Sequence, residues 1–129
     1  MIESGLLNFL GPLCNNRVYP RLPQSATFPL IRYQRISALR NSNVDATDAG
    51  PSQITIQIDS MGRGTSAYSQ SKQLAESVRL QLHRYRGNVG TNSVQFVSME
   101  SESDFEQQDG DDITHWVSQR YTFYVSEEQ

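Results

Sequence analysis

The sequence predicts an α+β domain in which two helices pack on one face of a four-stranded sheet, antiparallel or mixed, with the elements in the order α-β-β-α-β-β. Three observations lead to this prediction. Ile54, Ile56 and Ile58 alternate with polar residues, and a period of two indicates a strand with one buried face. Apolar residues between Leu74 and Leu82 recur at spacings of three and four, which is typical of an amphipathic helix. The 129 residues contain no internal repeat and suit a single domain over residues 1–129.

The N-terminal part of the chain is predicted to form a helix and then a strand. Residues 2–10 carry apolar side chains at helical spacing, and Gly11-Pro12 ends the run. Residues 17–23 contain two prolines, which predict an extended path on the surface. Residues 28–37 are rich in aromatic and β-branched residues and form the first predicted strand. A flexible loop is predicted near residues 40–52, where Asn, Ser, Asp and Gly cluster.

The C-terminal part is predicted to form the second helix and two further strands. The helix covers residues 66–86, with Thr65 or Ser66 as its N-cap. Residues 93–101 and 113–125 have the composition of strands. Between them lies a run with seven acids and no base, which predicts a second flexible loop near residues 101–112, because like charges repel each other and stay solvated.

Composition excludes several classes of function. The formal net charge of −3 gives no electrostatic reason to bind a phosphate backbone, which needs clustered lysine and arginine. Cys14 is the only cysteine, so an internal disulfide and a thiolate metal cage are excluded. The first ten residues contain neither a basic region nor an apolar stretch long enough for a signal or an anchor. We therefore expect a soluble chain without a membrane partner.

Candidate catalytic and metal-binding residues are isolated in the sequence. His83 and His115 are the only histidines, and no nucleophile signature accompanies them. Asp111 and Asp112 precede His115 closely, but an acidic loop offers a metal ion no defined geometry. Gly62-Arg63-Gly64 precedes a helix but lacks the lysine and the full glycine spacing of a phosphate-binding loop. We predict no catalytic residue, no metal site and no cofactor.

The last predicted strand is apolar on both faces, which suggests a contact in addition to the core. Tyr121 and Phe123 lie on one side, and Trp116 and Tyr124 lie on the other. We predict that a subunit or partner interface includes Trp116, Tyr124, Arg120, Arg32 and Arg35. An alternative is a small nucleic-acid-binding module, in which aromatic residues stack on bases. Its basic strip would consist of Arg32, Arg35, Arg79, Arg84 and Arg86.

Short motifs along nearly the whole chain resemble those of a known family. Arg17-Val18-Tyr19-Pro20 follows the first helix, and Phe28-Pro29-Leu30-Ile31-Arg32-Tyr33 opens the first predicted strand. A strand at residues 54–59 then leads through a polar turn into a helix that contains Ala67-Tyr68. In these features the chain resembles the tail terminator or tail completion proteins of long-tailed bacteriophages, the siphophages, including the lambda-type tail terminators.

The resemblance implies a structural role in the virion and no catalytic residues. Members form a hexameric ring on the last ring of the tail tube, stop its growth, and present a surface to the neck of the filled capsid. The implied partners are further copies of the chain, the major tail tube protein and a neck or head-completion protein, while genomic DNA passes through the ring without specific binding. The implied location is the tail-neck region of a virion assembled in the bacterial cytoplasm. Because relatives of similar fold are neck proteins, a head-tail neck adaptor is the alternative.

The long acidic segment departs from the short hairpin of that family. Two roles are open for it. It could line the channel of a ring and repel DNA from the wall, or it could project outward and bind a basic surface on the tube or neck. The acids concerned are Glu100, Glu102, Asp104, Glu106, Asp109, Asp111 and Asp112.

Overall fold

One curled, six-stranded sheet with two α-helices makes up the structure. The computed structural model describes residues 2–40, 52–90 and 92–127. In chain order the elements are α1 (Ile2–Leu10), a 3-10 turn (Gly11–Leu13), β1 (Val18–Tyr19), β2 (Leu30–Arg40), β3 (Ser52–Arg63), α2 (Ala67–Leu82), β4 (Gly87–Val89), β5 (Asn92–Asp109) and β6 (Asp112–Glu127).

The order of strands across the sheet is β1-β2-β3-β6-β5-β4. β1 is parallel to β2, and all other neighbours are antiparallel. The prediction of a four-stranded sheet in the order α-β-β-α-β-β is therefore wrong, because two short strands extend the sheet at its edges. β1 lies in the proline-rich segment that was expected to be a surface path. It joins the sheet because Ile31 N–H donates to the Arg17 carbonyl at 2.9 Å.

The other short strand, β4, follows an earlier end of α2 than the sequence predicts. The helix ends at Leu82, and the capping residue His83 is already extended. Arg84 has a left-handed backbone with φ of 63°, and its N–H donates to the Val97 carbonyl of β5 at 2.8 Å. The chain thus leaves the helix and joins the sheet edge, although Tyr85 fits the helical spacing.

The acidic segment forms strand, where the sequence predicts a loop. β5 continues to Asp109 and β6 begins at Asp112, so the two strands form one long hairpin. Its turn contains Gly110, whose φ of 61° is easily adopted only by glycine. Ladder pairs with β6 extend along the whole acidic run and offset the repulsion between its carboxylates. The loop predicted near residues 40–52 falls almost entirely outside the described residues.

The core lies between the concave face of the sheet and the two helices. α2 packs on β3 and β6, while α1 contacts β1 and β4, the strands at opposite edges. One short helix can touch both edges only if the sheet curls around it. Gly5 allows this contact, because a Cβ there would lie 2.7 Å from the backbone of Val89 and Gly90.

The predicted inward faces of β3 and β6 are confirmed. The three isoleucines of β3 are fully buried, and so are the alternate large residues of β6. α2 covers them with the apolar stripe that its spacing predicts. The buried residues of these three elements are Ile54, Ile56, Ile58, Leu74, Ala75, Val78, Leu82, Val117, Tyr121, Phe123 and Val125.

Candidate functional site

The sheet face opposite the helices, here called the open face, is the main candidate for an interaction surface. Residues directly opposite each other on antiparallel strands share a face. Across the sheet, Arg32 of β2 lies opposite Asp59 of β3, Asp59 lies opposite Ser118 of β6, and Trp116 of β6 lies opposite Phe105 of β5. Neither α1 nor α2 covers this face, because both lie on the concave side.

Aromatic side chains form two pairs on the open face. Phe105 and Trp116 stack with centroids 5.6 Å apart and an interplanar angle of 19°. Phe96 and Tyr124 form a tilted pair at 6.2 Å. Phe96 and Phe105 are 42% and 47% exposed, which is high for phenylalanine. Solvated aromatic area of this kind is typical of a surface that becomes covered in an assembly.

An ion pair fixes the position of Arg32 next to Trp116. Arg32 Nη2 and Nε donate to Asp59 Oδ2 at 2.7 and 3.0 Å. Gln57 Nε2 donates to the other carboxylate oxygen at 3.2 Å, and Asp59 itself is only 3% exposed. The guanidinium is held 5.8 Å from the centroid of the Trp116 ring, within the range of a cation-π contact. This part of the open face is therefore preorganised.

A shallow depression of about 210 Å³ lies beside the stacked pair. Hydroxyl and amide groups dominate its walls, and the guanidinium of Arg120 and the ring of Phe105 complete them. The lining residues are Gln57, Ser101, Ser103, Phe105, Ser118 and Arg120.

The structure brings together four of the five residues predicted for the interface. Trp116, Tyr124, Arg120 and Arg32 all lie on the open face. Arg35 does not, because it lies opposite Ile56, whose side chain is buried in the core. Sequence reasoning missed Phe96 and Phe105, which are an odd number of positions apart and share the open face only because a bulge between Met99 and Ser101 shifts the register of β5. The role of these residues as an interface stays a prediction.

The proposed basic strip is not brought together. Arg32 lies on the open face, whereas Arg79 lies on α2, on the other side of the sheet, and pairs with Glu76 in its own helix. That pair raises the pKa of Arg79 and lowers the pKa of Glu76. Arg84 and Arg86 follow the end of α2.

The acids of the hairpin are all exposed, and Glu102 and Asp104 lie on the helix side of β5, away from the open face. Glu102 accepts a hydrogen bond from Gln119 Nε2 at 2.8 Å, and Asp104 pairs with Lys72 of α2 at 2.5 Å. The bond to Asp104 raises the pKa of Lys72. Alternation places Glu106 on this helix side as well. The remaining acids are Glu100 at a bulge and Asp109, Asp111 and Asp112 at the turn.

Ser71, His115 and Asp104 approach one another, which the sequence alone does not indicate. Ser71 Oγ lies 2.5 Å from His115 Nδ1, and His115 Nε2 lies 3.8 Å from Asp104 Oδ2. The Ser71 hydroxyl also lies 3.0 Å from the Tyr68 carbonyl, to which it can donate while it accepts from Nδ1–H. Ser71 is also fully buried. The cluster ties β6 to α2.

Cys14 and the turn at Gly62, two further candidates from the sequence, both lie in closely packed parts of the structure. Cys14 is buried, which raises its pKa, and its thiol donates to the Arg17 carbonyl at 3.3 Å. A Cβ at Gly62 would lie 2.7 Å from the Ala67 carbonyl oxygen, so the turn into α2 is closely packed.

Within residues 2–40, 52–90 and 92–127, no three His, Cys, Asp or Glu residues are grouped as metal ligands would be. No helix in these ranges is long and apolar enough to cross a bilayer.

Comparisons with known proteins identify the family. The family model described as Tail completion protein gp17 matches residues 3–126. No curated protein is similar enough to count as a match. Among solved structures, a chain from the virion of a native gene transfer agent particle has the same fold, with a TM-score of 0.64 and 12% identity over 98% of this chain and 92% of that chain. Because the family model covers nearly the whole sequence, the protein belongs to the Tail completion protein gp17 family and is a structural component of a phage-type virion.

Proposed function

We propose that the protein forms a ring on the last ring of the phage tail tube, ends the growth of the tube, and provides the surface that joins the tail to the head or neck. Membership of the tail completion family is the basis of this proposal. The structural observation that supports the proposed role, in addition to family membership, is the open face, where exposed aromatic residues are held in fixed positions.

The Phe105–Trp116 pair is the centre of the proposed contact. Phe105 is 47% exposed although it stacks on Trp116, and the Arg32–Asp59 ion pair supports the cluster from the neighbouring strands. Contact residues that are already ordered lose little conformational entropy on docking. Aromatic and arginine side chains are also the residue types that contribute most to the energy of protein interfaces.

The acidic hairpin end is proposed to bind a protein partner. Glu102 and Asp104 point to the helix side of β5, away from the open face, and they are exposed there. Over this stretch of β5, a channel wall formed by the open face would present Ser101, Ser103 and Phe105, and not Glu102 and Asp104. These acids are therefore better placed to meet a basic protein surface than to repel DNA.

Electron microscopy of particles that lack the protein would test the proposal. Overlong, capsid-free tails are expected if the protein ends tail growth at the neck end. Normal tails beside unjoined heads would instead assign it to the neck as an adaptor. Intact, full-length virions would contradict both roles.

A pair of matched substitutions tests the open face in the same phage. Phe105→Ser should reproduce the defect of particles that lack the protein, because it removes the exposed ring of the stacked pair. Leu80→Ser is the control, since Leu80 is an exposed apolar residue of α2 on the other side of the sheet. Equal effects of the two variants on assembly would exclude a special role for the open face. Salt-sensitive gel shifts of DNA by the wild-type protein would instead favour nucleic-acid binding.

A further inference from the structure

β2 and β5 each have one edge that is paired with another strand over only two or three residues. β1 pairs with β2 at Ile31 and Arg32 only, and β4 pairs with β5 at Asn92, Ser93 and Val94 only. Next to β4, the Val97 carbonyl and the Met99 N–H still have partners from the chain after α2. From residue 33 in β2 and from residue 100 in β5, no strand of the described parts of the chain lies alongside.

The two edges carry opposite charge. β2 contains three arginines and no acid, whereas β5 contains five acids and no base. Within the chain, Arg32 is paired with Asp59, and Arg35 also has an interaction partner. In adjacent strands, opposite charges that face each other stabilise the pairing, and like charges destabilise it.

Both edges also expose apolar side chains. Ile36 of β2 is 38% exposed, and Phe96 and Phe105 of β5 are 42% and 47% exposed. Residues 36–38 and 100–109 are exposed in every position. A new strand along either edge would cover part of this apolar area and would satisfy backbone groups that point away from the sheet.

The directions of β2 and β5 allow an antiparallel pair between neighbouring copies in a ring. β2 runs opposite to β3, β3 opposite to β6, and β6 opposite to β5, so β2 and β5 run in opposite directions. The two uncovered stretches lie toward opposite ends of the sheet, and a tilt of the strands to the ring axis, as in β-barrels, offsets them while these directions are preserved. The β5 edge of one copy would then meet the β2 edge of the next as an antiparallel pair, the arrangement with the better hydrogen-bond geometry.

We propose that neighbouring copies join by edge-to-edge pairing of β5 in one copy with β2 in the next, which continues the sheet from copy to copy. The two surfaces differ, so the contact is head-to-tail and leads to a closed ring when the rotation closes. The pairing also places the open faces side by side, with Phe105 of one copy next to β2 of its neighbour. This inference specifies the contact between copies in the proposed ring and rests on that proposal.

Amide hydrogen exchange read by mass spectrometry tests the pairing directly. The full-length protein is compared in two states, as free subunits and assembled alone or on purified tail tubes. In peptides from residues 33–38 and 100–109, the amides that point away from the sheet, about every second one, should exchange quickly in the free subunit and at least tenfold more slowly in the assembly, since the new partner strand protects them. β3, which has strands on both sides, is the internal reference and should be protected in both states.

A charge reversal provides a second test. Glu106→Lys on β5 should weaken assembly about tenfold, because it places like charges across the new strand pair. Glu76→Lys changes the net charge equally on the exposed face of α2 and should leave assembly within about twofold of wild type. Circular dichroism spectra should be alike for both variants. Assembly of the wild-type protein should also weaken as the salt concentration rises.

Different failures have different meanings. A ring whose edge peptides remain unprotected, or one that Glu106→Lys and Glu76→Lys weaken equally, would overturn the strand pairing and leave the ring intact. Protection in a complex that contains single copies would assign the edges to another partner and overturn the inference. A protein that stays monomeric and does not bind tail tubes would overturn both the pairing and the proposed function.

Discussion

The buried amide of Gln119 allows a quantitative test of the packing between the hairpin and α2. Its side chain is fully buried, and all its hydrogen-bonding groups have partners. Nε2 donates to the Ala75 carbonyl at 3.3 Å and to Glu102 at 2.8 Å, while Oε1 accepts from the Tyr121 hydroxyl at 2.9 Å. We predict the effect of Gln119→Leu, which keeps a similar volume and removes all three bonds.

The cost should come mainly from Tyr121. Glu102 is exposed and can bind water, and Ala75 lies inside α2, where its carbonyl also accepts the helical bond from Arg79. The Tyr121 hydroxyl, in contrast, is left buried without an acceptor, which costs about 2 kcal/mol. For a domain of this size we expect a decrease in Tm of about 8 °C.

A double-mutant cycle separates this explanation from a general loss of packing. Tyr121→Phe alone should also cost about 2 kcal/mol, because it leaves the Gln119 carbonyl oxygen buried without a donor. The double variant has neither orphaned group and should lose about 1 kcal/mol or less. Urea unfolding of the four proteins gives the coupling energy, which we expect to be about 2 kcal/mol or more. Additive costs, or a single variant as stable as wild type, would refute the reasoning.

Two further predictions concern charged groups. Arg32→Met should lower the free energy of unfolding by about 3 kcal/mol in urea titrations, because it leaves the Asp59 carboxylate buried without its cation. The control Arg120→Met, on the same face but exposed, should change the free energy of unfolding by less than about 0.5 kcal/mol. Equal costs for the two variants would contradict this account. Burial, with the nearby Glu102 charge, raises the pKa of Tyr121 above its usual 10.0. The unfolded chain therefore loses this proton first, and stability should fall as pH rises above about 10. Tyr121→Phe should reduce that slope, and an unchanged slope would argue against it.

Periodic segments of the fold could be predicted from the sequence, and short edge strands could not. The alternation of Ile54, Ile56 and Ile58 is a strong signal because one face of β3 is buried. β1 and β4 contain only two and three residues, too few for any period to show. Tyr85 misled the prediction of the helix end: its spacing fits α2, but it lies in the turn after the helix, where its N–H donates to the Leu82 carbonyl and its ring packs against Phe9 of α1 at 4.7 Å.

The surface could have been predicted further than it was. The acidic run has a period of two, because Ser and Phe alternate with Glu100, Glu102, Asp104 and Glu106. Its high charge, however, predicts a solvated loop. Arg32 and Arg35 are separated by an odd number of positions, so a strand directs them to opposite faces. Contacts such as Lys72 with Asp104 depend on how α2 lies across the hairpin, which no local pattern determines.

The acidic edge of β5 has a consequence for the free subunit. A long uncovered strand can recruit other strands and begin a fibril. If two copies met by this edge, the carboxylates of one would face those of the other, and such a pairing is unfavourable at neutral pH. The carboxylates therefore hinder β5-to-β5 pairing between free subunits before they assemble.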